Sequence, residues 1–132
     1  MNASPIRVLT PHEVISNWEA LSQLLAPAVA RCNGELEIDD IRQLVLSGRM
    51  FVLASDRFAL TCEFVVYPRK TVMLVGFGAG EVPEGTDAAL TDFGRRAGAT
   101  SMQAYVAKDS MVRYLRHHFG GELIYRVIER PL

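Results

Sequence analysis

Gly78, Gly80 and Gly85 sit at the join between an apolar run, Val72–Phe77, and a helical pattern of Leu90, Phe93 and Ala97. A strand that turns through glycine into a helix aims free backbone N–H groups outward, a cradle suited to a phosphate or another anion. The same glycines also serve any sharp turn between a buried strand and a helix. Around this turn Glu81, Glu84 and Asp87 bring negative charge, and Pro83 removes one donor. Carboxylates at a helix N-terminus favour the helix itself and repel an anion at the same place. The expectation is a turn kept for structure, with its anion-binding chemistry weakened.

Other residue types could carry a reaction. Glu63 is the carboxylate in the middle of the alternating run Phe58–Tyr67. It could take a proton from an amine if burial raised its pKa, whereas on an outer strand face it would be solvated. Tyr114, in the last helical pattern, could act as an acid or pack beside Leu115. His117 and His118 are sequence neighbours, about 100° apart on a helix, so they do not form a metal-ligand pair. His12 lies in a capping turn. Cys32 and Cys62 form no metal or redox motif and read as buried thiols. No metal site is expected.

The elements that must position these residues follow from periodicity. Ile6–Leu9 is a short strand candidate. Thr10-Pro11-His12-Glu13 reads as a capping box with proline at the first helical position. Val14, Trp18, Leu21 and Leu25 then mark one face of a helix that Pro27 kinks or ends. Asp39 or Asp40 caps a second helix carrying Ile41, Leu44 and Val45, closed by Gly48. Met50–Ala54, Phe58–Tyr67 and Thr71–Phe77 form an antiparallel meander joined by short turns. After the glycine turn a helix runs to about Ala97. Ser101–Ala107 is a further strand, Asp109 or Ser110 caps a last helix, and Leu123–Arg130 is the final strand. The class is α+β, an α/β sandwich in the order β-α-α-β-β-β-α-β-α-β, with a mostly antiparallel mixed sheet flanked by helices.

The chain has 132 residues, the size of a single domain spanning 1–132. Apolar residues make up 49% and charged residues 22%, which fits a folded globular chain and excludes a disordered one. The net charge of −1 gives no general attraction to nucleic acid or acidic membranes. No apolar run is long enough to span a bilayer. The first residues show no basic segment followed by an apolar one, so the expected location is the cytoplasm, a host's included, or a particle assembled there. Charge is uneven: from Lys108 onward Lys and Arg outnumber Asp and Glu. Arg113, Tyr114, Arg116, His117, Arg126 and Arg130 are of the types that suit a protein interface, and they are expected to form one. The alternatives are a solvated face or an intradomain pair between Arg116 and Glu122. A protein partner or self-association is expected, and no nucleic acid or membrane.

Gly98 to Val106, then Asp109 to Leu115, then Phe119-Gly120 resembles the closing pattern of the GNAT N-acetyltransferase superfamily. The order of elements along nearly the whole chain is similar as well. The resemblance implies two strands that splay apart after the glycine turn. Acetyl-CoA would lie in the gap, its pyrophosphate on the backbone of Gly78, Gly80 and Gly85. It implies a catalytic acid, usually a Tyr, on the last helix. Aligned on Phe119-Gly120 that position falls on Arg116, and aligned on Val112–Leu115 it falls on Leu115. Tyr114 lies one or two residues away. No Arg or Gln precedes the glycines at the family's spacing. Ser110–Arg116 further resembles small GNAT-like proteins of tailed bacteriophages, including internal virion proteins. The expected function is that of a phage-type protein of this fold with a degenerate acetyl-CoA site, acting as a virion-associated or other protein-binding component. No cofactor is expected on this reading. The alternative is an active acetyl-CoA-dependent N-acetyltransferase acting on an amine, with Glu63 and Tyr114 as its catalytic pair.

Overall fold

A computed structural model describes residues 5–132. The first four residues, part of the segment read for a leader, lie outside them. Strand β1 (Arg7–Val8) leads into helix α1 (Pro11–Ser16) through a capping box. The Glu13 N–H donates to Thr10 Oγ1 at 3.1 Å, and the Thr10 N–H donates to Glu13 Oε1 at 3.0 Å. Arg7 holds the same carboxylate, donating from Nη1 at 3.0 Å. The single helix expected from Val14, Trp18, Leu21 and Leu25 is in fact two. Asn17 donates its side-chain N–H to the Glu13 carbonyl at 2.8 Å, and its backbone leaves the helical region. A short polar side chain that bonds the preceding turn competes with the regular ladder. Helix α2 (Trp18–Ala30) then continues through Pro27, which neither ends it nor removes its buried stripe of Leu21, Leu25 and Val29. Helix α3 (Ile38–Leu46) is capped by Glu37, not by Asp39 or Asp40. Asp40 sits at the third helical position, where its carboxylate accepts the Glu37 N–H at 2.8 Å.

The meander is β2 (Phe51–Ser55), β3 (Phe58–Val66) and β4 (Thr71–Gly80). Helix α4 (Thr86–Arg96), strand β5 (Ser101–Ala104) and helix α5 (Asp109–Phe119) follow. The sheet has the order β1-β2-β3-β4-β5. The first three pairings are antiparallel, and β4 with β5 is parallel. Helix α4 makes the crossover that a parallel pair requires. Lys108, not Asp109 or Ser110, is the cap of α5.

One face of the sheet packs Val52, Ala54 and Ala59 against Val14, Leu25, Ile41 and Val45 of α1–α3. The other packs Leu53, Leu60, Cys62 and Met73 against Leu90 of α4. There Phe51, Phe64 and Phe93 meet edge to face with ring centres 5.5–5.7 Å apart, an arrangement that suits aromatic quadrupoles. Cys62 is buried as expected, but Cys32 is half-buried and its thiol lies 3.4 Å from the Leu36 carbonyl, which it donates to.

The final strand expected over Leu123–Arg130 is not formed. Residues 120–132 have no regular structure and are exposed. Their alternation suits a strand, but a strand needs a ladder partner, and the chain forms none for it. Among the described residues no helix is long and apolar enough to cross a membrane.

Candidate functional site

The site is built on an irregularity in β4. Cys62 pairs with Val75 and Leu60 with Gly78, so Gly76 and Phe77 together face Thr61 alone. Two residues against one is a β-bulge. The side chain of Thr61 is fully buried, and its Oγ1 accepts the Phe77 N–H at 2.8 Å. A side chain at Gly76 would stand 2.6 Å from that same oxygen, so only glycine fits. The bulge reverses the strand's alternation: Val75 belongs to the core under α4, whereas Phe77 and Ala79 belong to the core under α1–α3.

The parallel ladder to β5 ends at the same level, with Val75 opposite Ala104. Beyond it, Gly76–Gly80 remain bonded to β3 and have no strand on their other side. A wedge therefore opens between the end of β4 and the chain leaving β5. Gly78 and Gly80 lie inside β4 and not in the turn where the sequence placed them. Gly80 has φ +101°, and a Cβ there would overlap the Arg57 carbonyl, which accepts the Glu81 N–H at 3.0 Å. Its glycine is a requirement of the β3–β4 hairpin.

The turn proper, Glu81–Gly85, leads to α4. Gly85 is the N-cap, with φ +88° and no side-chain capping bond. Thr86 closes the turn on itself: its hydroxyl donates to the Pro83 carbonyl at 2.7 Å, and its N–H points to the same oxygen at 3.4 Å. The first bond along the helix runs from the Ala89 N–H to the Gly85 carbonyl at 3.0 Å. That leaves the N–H groups of Asp87 and Ala88 at the open end. Glu81, Glu84 and Asp87 are exposed around it, and the basic residues of α4, Arg95 and Arg96, stand at the opposite end. Free helix-start N–H groups and three exposed carboxylates therefore stand together at this end of α4.

Glu63 is half-buried on β3, opposite Leu74, one register step from the bulge. It faces the α1–α3 side, away from Cys62. Burial, with the Glu63 charge adding to it, pushes the Cys62 thiol up to about 12. Tyr114 is 40% exposed on α5, and its ring lies against its own helix, 4.4 Å from His118 and 6.3 Å from Phe119. No residue of α5 is buried. Gly78 and Gly80 thus border the wedge, Gly85 stands at the start of α4, Glu63 lies on β3 opposite Leu74, and Tyr114 is on a helix with no buried residue. Arg113, Arg116, His117, Arg126 and Arg130 are exposed with Tyr114 on this terminal segment, and Arg116 forms no ion pair with Glu122. Among the described residues no group of three or more His, Cys, Asp or Glu could hold a metal ion. Sequence reasoning missed Thr61 and Gly76. The signal for them was an isolated glycine inside a strand pattern, which marks a bulge.

No protein-family model matches the sequence, and no curated protein matches it. Solved structures do match. An aminoglycoside N-acetyltransferase of type AAC(6')-Iy, solved in complex with CoA, is 13% identical with a TM-score of 0.71, covering 100% of this chain and 97% of that one. An aminoglycoside acetyltransferase from an uncultured soil metagenomic sample, solved with sisomicin, is 14% identical with a TM-score of 0.70, covering 97% of this chain and 95% of that one. A probable acetyltransferase is 11% identical with a TM-score of 0.72, covering 98% and 99%. At such identities the likeness is one of fold, and the fold of this chain is that of the GNAT acetyltransferases.

Proposed function

We propose that this chain is a GNAT-fold protein that acts by binding protein partners, with an acetyl-CoA site too weakened to hold the cofactor at useful concentrations. The observation that carries this reading is the start of α4. Its turn bonds to itself through Thr86, and Glu81, Glu84 and Asp87 surround the donors that remain. A pyrophosphate brought there meets like charge, and like charges at short range oppose binding. The exposed arginines of the terminal segment supply the complementary half of the reading, because Arg and Tyr are favoured at interfaces. A place in a larger assembly such as a tailed-phage particle accords with the resemblance of Ser110–Arg116. Calorimetric titration with acetyl-CoA tests the reading. A dissociation constant no tighter than about 1 mM, equivalent to about −4 kcal/mol, is expected. Low-micromolar binding overturns it.

A second reading has its own observation. The bulge at Gly76 and the wedge it opens are the feature an acyl-CoA would enter, and one structural neighbour was solved with CoA. On this reading the chain is an acetyl-CoA-dependent N-acetyltransferase. Glu63 would receive the amine's proton, Tyr114 would protonate the leaving thiolate once α5 closed over the wedge, and Gly78, Gly80 and Gly85 would present their backbone. Release of free thiol from acetyl-CoA in the presence of a panel of amines, lost in Glu63→Gln, would establish it.

A further inference from the structure

We infer that the hollow between the β3–β4 hairpin and the C-terminal tail binds a nucleoside phosphate, its base against Tyr67 and Tyr125 and its phosphate on Arg69 and Lys70. This goes beyond the proposed function, because the hollow and the wedge stand at opposite ends of β4. Gly76 is six residues along from Lys70, roughly 20 Å of extended strand.

The hairpin builds one wall. The Tyr67 N–H donates to the Lys70 carbonyl at 2.8 Å, which leaves Pro68 and Arg69 as the two residues of the turn. Tyr67 carries the alternation of β3 one step on, so it stands on the same face as Glu63 and Val65. Strand β5 gives the floor. Gln103 is half-buried and pairs with Leu74, on that same face. The Thr100 N–H donates to the Thr71 carbonyl at 3.0 Å and ties the start of β5 to the hairpin. The tail closes the other side with Tyr125, and Asn33 holds that tail by donating to Glu129 at 2.7 Å. The hollow these elements enclose measures about 420 Å³, a size that suits a small ligand.

Its lining has the chemistry of one ligand class. Tyr67 and Tyr125 are 48% and 72% exposed, so much of each ring is open to solvent. Open aromatic faces stack on planar bases. Arg69 and Lys70 are exposed, and among the described residues neither has an ion pair. No carboxylate among those residues lines the hollow. Two uncompensated cations side by side fit a phosphate, the guanidinium by two parallel hydrogen bonds and the ammonium as a point charge. Gln103 adds a donor and an acceptor for the edge of the ring. A free phosphate would leave the rings bare, and a bare base would leave the cations idle. A nucleoside phosphate uses both. The net charge of −1 disfavours a long polyanion, so the occupant is a single nucleotide and not a strand.

Calorimetric titration of the full chain with AMP tests this, with inorganic phosphate and adenosine as its two halves. AMP should bind with a Kd below about 1 mM, and each half at least about tenfold more weakly. Arg69→Ala with Lys70→Ala should weaken AMP binding at least about tenfold. Tyr125→Ala should weaken it about fivefold or more, and Tyr125→Phe should stay within about twofold of wild type. All three positions are exposed, so thermal melts should be unchanged. Four results overturn the inference: no AMP binding at about 1 mM, phosphate binding as tightly as AMP, AMP binding indifferent to these substitutions, or a single-stranded oligonucleotide binding more than about tenfold tighter than AMP. Acetyl-CoA carries a nucleoside phosphate of its own. Titrating it into the Arg69→Ala, Lys70→Ala variant reads the wedge alone, so the proposed function and this inference fail separately.

Discussion

At the scale of single residues, environment separates groups of the same type. The Cys62 thiol is pushed up to about 12 by burial, with the neighbouring Glu63 charge second. A thiol so far above its ordinary range carries almost no thiolate at neutral pH, and the thiolate is the reactive form. Native protein treated with a thiol reagent should therefore modify half-buried Cys32 and spare Cys62, and unfolding should release the second equivalent. Fast modification of both in the native state would contradict this burial. Glu13 shows the opposite displacement. The hydrogen bond from Arg7 and then the Thr10 N–H hold its carboxyl down to about 2. A carboxyl depressed on folding stabilises the fold above its unfolded value, about 4.3, and loses that contribution as pH falls through its folded value. The pair is exposed, so the effect is small and salt-sensitive. Wild type should melt slightly above Glu13→Gln near neutral pH, and the difference should vanish as pH falls toward about 2. A difference that grows on acidification would reverse the assignment.

At the scale of elements, the bulge is where strand chemistry becomes site geometry. Thr61 supplies the oxygen that takes the Phe77 N–H, and Gly76 leaves room for it. Thr61→Val keeps the shape and removes the acceptor, so the donor is left unpaired at a cost of about 1–2 kcal/mol. Gly80→Ala places a side chain where the Arg57 carbonyl stands, at a positive φ. It should cost about 2 kcal/mol or more, because both strain and overlap oppose it. Chemical denaturation of the two variants checks both figures; a neutral Gly80→Ala would remove the hairpin requirement. The meander was legible in the sequence because Phe58–Tyr67 alternates cleanly and short turns flank it. The bulge was not, since a glycine within Val72–Gly80 does not reveal which residue is extra until the partner strand is placed. The break at Asn17 escaped for a related reason: the apolar stripe of Val14, Trp18 and Leu21 runs straight across it, and only a side-chain bond to the Glu13 carbonyl interrupts the ladder. The acidic helix start was legible, because Glu81, Glu84 and Asp87 act through charge, which needs no partner strand to be read. Leu123–Arg130 has the alternation of a strand, but pattern alone cannot supply the neighbour that would make it one.

At the scale of the whole molecule, the chain divides into a body that holds its core and an arm that contributes nothing to it. The two cores close with Leu90, and the last buried position is Gly94. All the ladders are complete by Ala104. A chain ended after Lys108 keeps every buried contact, so it should still unfold cooperatively, within about 1 kcal/mol of the full chain under conditions where the latter is monomeric. The two should differ in how they respond to concentration. If the arm joins two copies, association adds stability by mass action, and the full chain's melting midpoint rises with protein concentration. The shortened chain lacks the arm, and its midpoint should stay constant over the same range. Thermal melts of both chains across about a hundredfold concentration range decide the matter. A shortened chain that fails to fold would show that the arm belongs to the core of its own copy after all, as a strand beside β5 and a helix against the sheet. Equal, concentration-independent midpoints would show a body whose stability owes nothing to the arm, with Tyr125, Val127 and Ile128 left exposed.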